Sequence, residues 1–330
     1  MIRVGVVRGG VSDEFEVSIK TGASVLAALP KDKYVGIDIL LSKDGEWHVE
    51  GVPKNIRQMR ANVDVVFNAL HGEFGEDGKA SRLFETHDIP YTGSNTLPSA
   101  LAMNKPLAKE AFRRAGIRVP PGMTIEDYRD STIVGEIPEK IQELAHKIFR
   151  NIPSPWVLKP ARGGSSINTY VAKNWGELVH ALSQLFSYGG DIVAEQYIRG
   201  KEATVGVIRD FRNKKLYPLM PVEIRAKGND FFDYVSKYSG HADEAVPGSF
   251  SPKEKEELER HAMEAHEALG LNDYSRSDFI VTPRGHIYIL EINNLPGLCE
   301  ASLFPKALHA VGSNLPEFVD HLITLAMQRK

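Results

Sequence analysis

The segment from Ser275 to Gly297 constrains this chain more than any other. It reads as two β-strands, one from Ser275 to Val281 and one beginning at His286, joined by a turn at Pro283, Arg284 and Gly285. Polar residues stand where a core strand should have none. Asp278 lies on the first strand, and Glu291 and Asn293 lie i, i+2 on the second, which points both side chains to one face. An all-oxygen donor set with no His or Cys suits a hard cation such as Mg²⁺. Mg²⁺ held by one or two carboxylates fills its shell with phosphate oxygens and water. The hairpin therefore predicts a nucleotide-triphosphate site.

With 330 residues the chain exceeds one ordinary core, which predicts two or three lobes. A net charge of −3 and the absence of any basic run beyond pairs such as Lys214–Lys215 give no support for a nucleic-acid partner. The first strand begins at Ile2, leaving no room for a signal peptide, and no apolar run approaches membrane-spanning length. Cys299 is the only cysteine, so no intrachain disulfide can form. Together these predict a cytoplasmic protein with no membrane partner. His261 and His266 are five apart and do not share the i, i+4 face of a zinc helix.

Along the chain, a short apolar strand from Ile2 to Val7 runs into Gly9–Gly10, and a helical pattern follows from about Glu14 to Leu29. A second buried strand, Val63 to Phe67, ends at Asn68 to Gly72. Such alternation predicts a parallel sheet wrapped by helices, a Rossmann-like lobe whose ligands gather at the carboxyl ends of the strands. A helix from about Asn104 to Ala115 and a linker through Pro120–Pro121 come next. Then follow a helix around 139–149, a strand at 156–159, a helix at 175–186 and a strand at 191–196. Strands are expected at 203–208 and 216–222, and a long helix from Pro252 to Leu269. A closing helix should run from about Leu315 to Met327. Between them the polar stretch 227–250 is too long for a plain connection and reads as a lid.

The second chemical signal is Lys159 at a strand end, followed by Gly163, Gly164, Ser165 and Ser166. Glycines let backbone N–H groups approach phosphate oxygens, and the hydroxyls add donors. No Gly-Lys-Ser/Thr occurs, so this is not a Walker A loop. A glycine-rich surface turn would look the same in isolation; the downstream oxygen triad favours phosphate. Glu195 and Glu202 flank a short connection and suit the amine and hydroxyls of a nucleoside, or equally a solvated strand end. Asp13 and Glu14 favour a helix start, and Glu16 suits a substrate ammonium. His71 reads as a hydrogen-bonded structural histidine. Arg276, two residues before Asp278, suits a developing oxyanion or a charge pair with Glu291.

These residues, in this order, resemble the D-alanine–D-alanine ligase family of ATP-grasp enzymes over essentially the whole chain. The markers are Gly9 to Ser18, His71–Gly72 with Gly75 to Gly78, Tyr91 to Ser94, Lys105, and Lys159 to Ser166. They continue with Asp233 to Tyr238, Arg276 with Asp278, and Glu291 to Gly297. The resemblance implies an α/β, three-lobed ATP-grasp architecture with an N-terminal Rossmann-like domain at 1–103. A central subdomain would span 104–198 and a C-terminal subdomain 199–330. It implies an ATP- and Mg²⁺-dependent ligase that makes D-alanyl-D-alanine for peptidoglycan through an acylphosphate. Its partners would be ATP and D-alanine, and its assembly a homodimer.

By the same resemblance Lys105 and Lys159 contact the phosphates, while Glu195, Ile198 and Glu202 hold adenine and ribose. Asp278, Glu291 and Asn293 bind a pair of Mg²⁺ ions, or Mn²⁺. Glu16 grips the first amino group with Ser165 and Tyr238, and Arg276 and the Gly297 N–H face the oxyanion. His71, Lys237, Ser302 and Leu303 line the substrate pockets, and the stretch around Lys237 and Tyr238 closes over the site. The chain departs from the pattern at Asn104, Gly163 and Asn168, where many members carry Asp, Glu and Gly. It also departs at Leu298 to Ala301, where Met-Thr-x-His is common, so a ligase of the same mechanism with another acceptor is the rival reading. A non-catalytic nucleotide- or amino-acid-binding protein is the rival of another class, but it would not need Arg276, three metal ligands and two phosphate lysines together.

Overall fold

Three β-sheets follow one another along the chain in a computed structural model that describes residues 1–127, 137–163, 168–225 and 243–329. The first sheet has the order β4-β3-β2-β1-β5. Its parallel centre is β1 (Ile2–Gly9) between β2 (Tyr34–Leu41) and β5 (Val65–Asn68). The short strands β3 (Trp47–Val49) and β4 (Val52–Pro53) add an antiparallel edge. All four residues of β5 are buried, as expected of a strand covered on both faces.

Helix α1 (Phe15–Ala28) packs on this sheet through Ser18, Thr21, Gly22 and Val25, which recur at helical spacing. Its Ser18 hydroxyl accepts from Gly9 N (2.8 Å) and donates to Ala69 O (2.8 Å), tying the β1–α1 loop to the end of β5. Gly9 has φ +92°, and a Cβ there would stand 2.3 Å from Leu41 O, so only glycine lets the chain turn this closely. Helices α2 (Ile56–Asn62), α3 (Lys79–Thr86), α4 (Thr96–Met103) and α5 (Lys105–Arg114) lead to the second sheet.

The second sheet, in the order β6-β9-β7-β8, is antiparallel: β6 (Gly122–Ile125), β9 (Ile192–Gln196), β7 (Trp156–Pro160) and β8 (Tyr170–Ala172). One face of it buries Trp156, Leu158, Ile192 and Ala194 against α6 (Ile137–Asn151) and α7 (Trp175–Tyr188). The period-2 alternation then sends Val157, Lys159 and Glu195 to the opposite face, into a cleft.

The third sheet is an antiparallel array centred on β10 (Lys201–Phe211), which pairs with β14 (Tyr274–Val281) on one side. Beyond β14 lies β15 (Ile287–Asn293), forming the hairpin that the sequence predicts. The strand expected at 216–222 is instead two, β11 (Lys214–Pro218) and β12 (Val222–Arg225), both on the other edge of β10. Pro218 and Pro221 each lack an N–H to donate, which breaks the ladder there. A short β13 (Asp243–Ala245) extends this edge, and α8 (Pro252–Ala268), α9 (Leu303–Ala310) and α10 (Leu315–Gln328) complete the chain.

Each sheet falls within one of the expected segments, yet apolar packing crosses both boundaries. Val4, Val6 and Phe67 of the first sheet share a core with Phe304 of α9 and Phe318 and Leu322 of α10. Ala108 and Phe112 of α5 join the core of the third sheet. Polar ties reinforce the first contact. Asp320 accepts from Tyr34 Oη (2.7 Å) and Lys33 Nζ (2.8 Å). Arg329 binds the Tyr91 and Gly93 carbonyls and Asp273 at 2.6–2.9 Å. Among the described residues no helix is long and apolar enough to cross a membrane.

Candidate active site

The cleft is built around the β14–β15 hairpin. Asp278 stands directly opposite Glu291, and Arg276 opposite Asn293, so the oxygen-bearing residues expected to hold metal are brought together. A register shift at Asp278–Phe279 makes the difference: Phe279 pairs with Ile289, but Asp278 pairs with Glu291, leaving Leu290 as the extra residue. This β-bulge re-aims the strand, so that Leu290 and Glu291 both reach the larger cavity while Ile289 stays in the core. Arg276 forks Asp278 through Nε (3.1 Å) and Nη2 (3.2 Å), and Thr204 on β10 donates to the same carboxylate at 2.6 Å. Two carboxylates and an amide oxygen on adjoining strands fit a hard cation with room left for phosphate and water.

On the N-terminal side the structure separates two neighbouring carboxylates. Glu16 is exposed on the outer face of α1 and lines neither cavity of the cleft. Glu14, at the N-cap of α1, lines both. The two positions lie two residues apart at a helix start, which points their side chains to opposite sides. The carboxylate facing the site is thus Glu14.

His71 is buried at the end of the loop after β5. Its Nε2 lies 2.9 Å from Thr21 Oγ1 and its Nδ1 lies 3.4 Å from Glu76 Oε1. Burial raises the Glu76 carboxyl above the usual range, against the pull of His71. Sequence reasoning misses Thr21, Glu76 and Thr204. Glu76 falls within the glycine-punctuated run Gly75–Gly78, but only packing reveals its partner.

On the nucleotide side, Lys105 opens α5 directly after the Asn104 N-cap, and its ammonium donates to Gly163 O at 2.6 Å. Asn104 caps Leu107 N (3.2 Å) much as aspartate would. Gly163 has φ +106° and Asn168 φ +57°, backbone positions that favour Gly and Asn, so both residues have a backbone reason. Lys159 Nζ lies 3.5 Å from Glu195 Oε2, and Glu195 Oε1 is held by Lys109. Burial pulls Lys105 and Lys109 below the ordinary lysine range. Burial alone would raise Glu195, but Lys109 and Lys159 outweigh it and hold that carboxyl below its usual range. Ile198 and Glu202 line the same cavity.

Two cavities result. The larger, of about 940 Å³, runs from Tyr197, Ile198 and Glu202 past Lys159 to the hairpin. The smaller, of about 280 Å³, is lined by His71, Glu76, Arg276, Asn293, Gly297, Ser302 and Leu303. Glu14, Met103, Lys105, Gly163, Asp278 and Glu291 line both and form their common wall. Cys299 Sγ sits 2.9 Å from Ser302 Oγ, and Glu300 is exposed. Lys306 also pairs with Glu244 at 2.5 Å on the wall of the smaller cavity. Ser165, Ser166, Lys237 and Tyr238, and most of the lid expected at 227–250, lie outside the described residues.

With this geometry in place, comparison with known proteins gives a consistent result. Family profiles described as "D-ala D-ala ligase N-terminus" and "D-ala D-ala ligase C-terminus" match residues 3–94, in two overlapping pieces, and 112–324. The chain is 37% identical over 327 residues to a D-alanine–D-alanine ligase of Geotalea uraniireducens, covering 98% of this chain and 95% of that one. It is 33% identical over 322 residues to one of Clostridium beijerinckii, covering 98% and 97%. Among solved structures it resembles the VanG D-Ala:D-Ser ligase of Enterococcus faecalis (TM-score 0.85, 28% identity, covering 98% of this chain and 99% of that one). It also resembles a D-alanine–D-alanine ligase of Bacillus anthracis complexed with ATP (TM-score 0.77, 29% identity, covering 100% and 98%).

Proposed function

This chain belongs to the D-alanine–D-alanine ligase family, and from that premise we propose that it joins two D-alanines at the expense of ATP, for peptidoglycan precursors. The observation that carries the reading is the common wall of the two cavities, where Lys105, Asp278 and Glu291 face both a nucleotide-sized and an amino-acid-sized space.

The chemistry follows from a physical need. A carboxylate is a poor electrophile at neutral pH. Transfer of the γ-phosphoryl group of ATP to a carboxylate oxygen of the first D-alanine releases ADP and leaves an acylphosphate. The neutral amine of the second D-alanine attacks its carbonyl carbon, and phosphate departs as the peptide bond forms. The protein contributes alignment, charge neutralisation and exclusion of water.

In this chain the base and ribose lie along the 196–202 connection, against Ile198 and Glu202, with Glu195 beneath. Lys105 and Lys159 draw the triphosphate toward the hairpin. Asp278, Glu291 and Asn293 would hold Mg²⁺, which would supply positive charge against the phosphate oxygens. Glu14 holds the ammonium of the first D-alanine, in the role that the family resemblance suggests for Glu16. Arg276 and the Gly297 N–H meet the oxyanion, while Ser302 and Leu303 bound the acceptor. Ser165, Lys237 and Tyr238 keep the roles that the resemblance implies. The enzyme works in the cytoplasm, where ATP is available, as a homodimer.

The test is ADP release with ATP and Mg²⁺ in the presence of D-alanine, D-serine or D-lactate, with the product read by mass. D-alanine-dependent release that yields D-alanyl-D-alanine is expected. Release that yields only a mixed product would move the acceptor assignment, and no release with any acceptor would overturn the reading.

A further inference from the structure

Lys109 belongs to none of the roles above, yet it is among the most deeply enclosed charges in the molecule. It lies one turn after Lys105 on α5, is 3% exposed, and does not line the larger cavity. Its ammonium is committed to Glu195 Oε1, while the other oxygen of Glu195 faces Lys159 at 3.5 Å. Glu195 is 3% exposed and stands on β9 next to β7, so the three charges stack outward in the order Lys109, Glu195, Lys159.

We propose that Lys109 is a positioning residue for ATP, holding Glu195 from behind so that Lys159 stays extended toward the triphosphate. This deepens the function proposed above and rests on it.

The physical argument is one of balance. A buried carboxylate with two cations can share its charge between them, but with one cation it draws that partner close. Without Lys109, Glu195 has Lys159 as its nearest remaining counter-charge and pulls that ammonium inward, away from the cavity. The local charge also changes. Lys105, Lys109 and Lys159 against Glu195 leave two net positive charges, and removing Lys109 leaves one. Both changes act through Lys159 and the charge at the phosphate end of ATP. The depressed basicity of Lys109 agrees with a group whose charge exists there because Glu195 demands it.

The experiment compares KM for ATP and for ITP, KM for D-alanine, and kcat in the wild type, Lys109→Arg and Lys109→Met. Outer-shell partners of a binding group typically matter by about ten- to a hundredfold. Lys109→Met should raise KM for ATP by about that factor and KM for ITP in proportion, with smaller changes in kcat and in KM for D-alanine. Lys109→Arg should recover most of the loss. Should Lys109→Met fold poorly, Lys109→Met with Glu195→Gln removes both buried charges. That double variant should regain stability and, with no buried carboxylate left to draw Lys159 inward, return KM for ATP most of the way to the wild-type value.

A wild-type KM for ATP in Lys109→Met, or a KM for ATP still raised in a stable double variant, would overturn the inference and leave a merely structural lysine. A collapsed ATP-to-ITP preference would also overturn it, placing the effect at the base. A wild type that does not use ATP at all would instead overturn the function on which the inference rests.

Discussion

Two buried carboxylates sit in the same cleft and are compensated in different ways. Glu195 is clamped by Lys109 and Lys159, which arrive from a helix and a neighbouring strand. Asp278 is forked by Arg276 from its own strand and takes a hydroxyl from Thr204 opposite. Glu195 lines only the larger cavity, whereas Asp278 lines both. The lesson concerns permanence. A carboxylate neutralised by lysines from separate elements is part of the architecture and sets the field around it. One held by an arginine at the cavity surface keeps oxygen lone pairs within reach of an incoming cation.

Breaking the Asp278 side should have the larger effect on turnover. Glu291→Gln leaves the shape of the hairpin but removes a charge from the metal-binding face. It should lower kcat by roughly a hundredfold, the size that loss of one preorganised charge-stabilising group carries, with an unchanged circular dichroism spectrum. Retained turnover at ordinary Mg²⁺ would sink the metal assignment. Next in size is the pair Glu14→Gln and Glu16→Gln. Loss of a charged hydrogen bond is worth about 1.5–3 kcal/mol, or about ten- to a hundredfold. Glu14→Gln should raise KM for D-alanine by that factor and Glu16→Gln should not, and the reverse pattern would return the role to Glu16.

The placement of Glu14 and Glu16 shows how far the sequence could be read. Asp278, Glu291 and Asn293 were legible because a carboxylate within an apolar strand is costly to bury unless a cation meets it. The bulge that lets both Leu290 and Glu291 face the cleft was not, since it depends on pairing register rather than composition. Glu14 and Glu16 occupy nearly equivalent places in the string, and only the start of α1 at Phe15 decides which one faces inward. Lys109 resembled any lysine of a polar helix face until Glu195 arrived from a strand far along the chain. The strand β2 was hidden for a related reason. It carries Asp38, whose charge is met by Arg8 on β1 at 2.6 Å, so its pattern does not read as a plain buried strand.

Two smaller effects sharpen the comparison. Thr204→Val removes the hydroxyl that fixes Asp278. It should raise the Mg²⁺ concentration needed for half-maximal rate by about tenfold, and an unchanged Mg²⁺ titration would make Thr204 a packing residue. Asp273 supplies a buried carboxylate that lines neither cavity. Burial raises its carboxyl to about 6, against the pull of Arg329 and the Gly93 N–H. A folded-state value above the ordinary ~3.9 means that the folded protein binds the proton more tightly, so stability falls as pH rises from about 4 through 6. Asp273→Asn should lose that component, and the difference in Tm between pH 5 and pH 7 should change by about 2–4 °C relative to the wild type. An identical pH dependence in the two proteins would show that Asp273 is ionised across that range.

The central claim is that the common wall of the two cavities is where phosphate passes from ATP to the first amino acid. D-alanine labelled with ¹⁸O in its carboxylate tests this directly, with the isotope content of the released phosphate read by mass. Phosphate carrying one ¹⁸O atom, formed together with the dipeptide, is the predicted result. Unlabelled phosphate alongside the dipeptide would mean that the carboxylate oxygen never accepted the phosphoryl group, and would contradict the account.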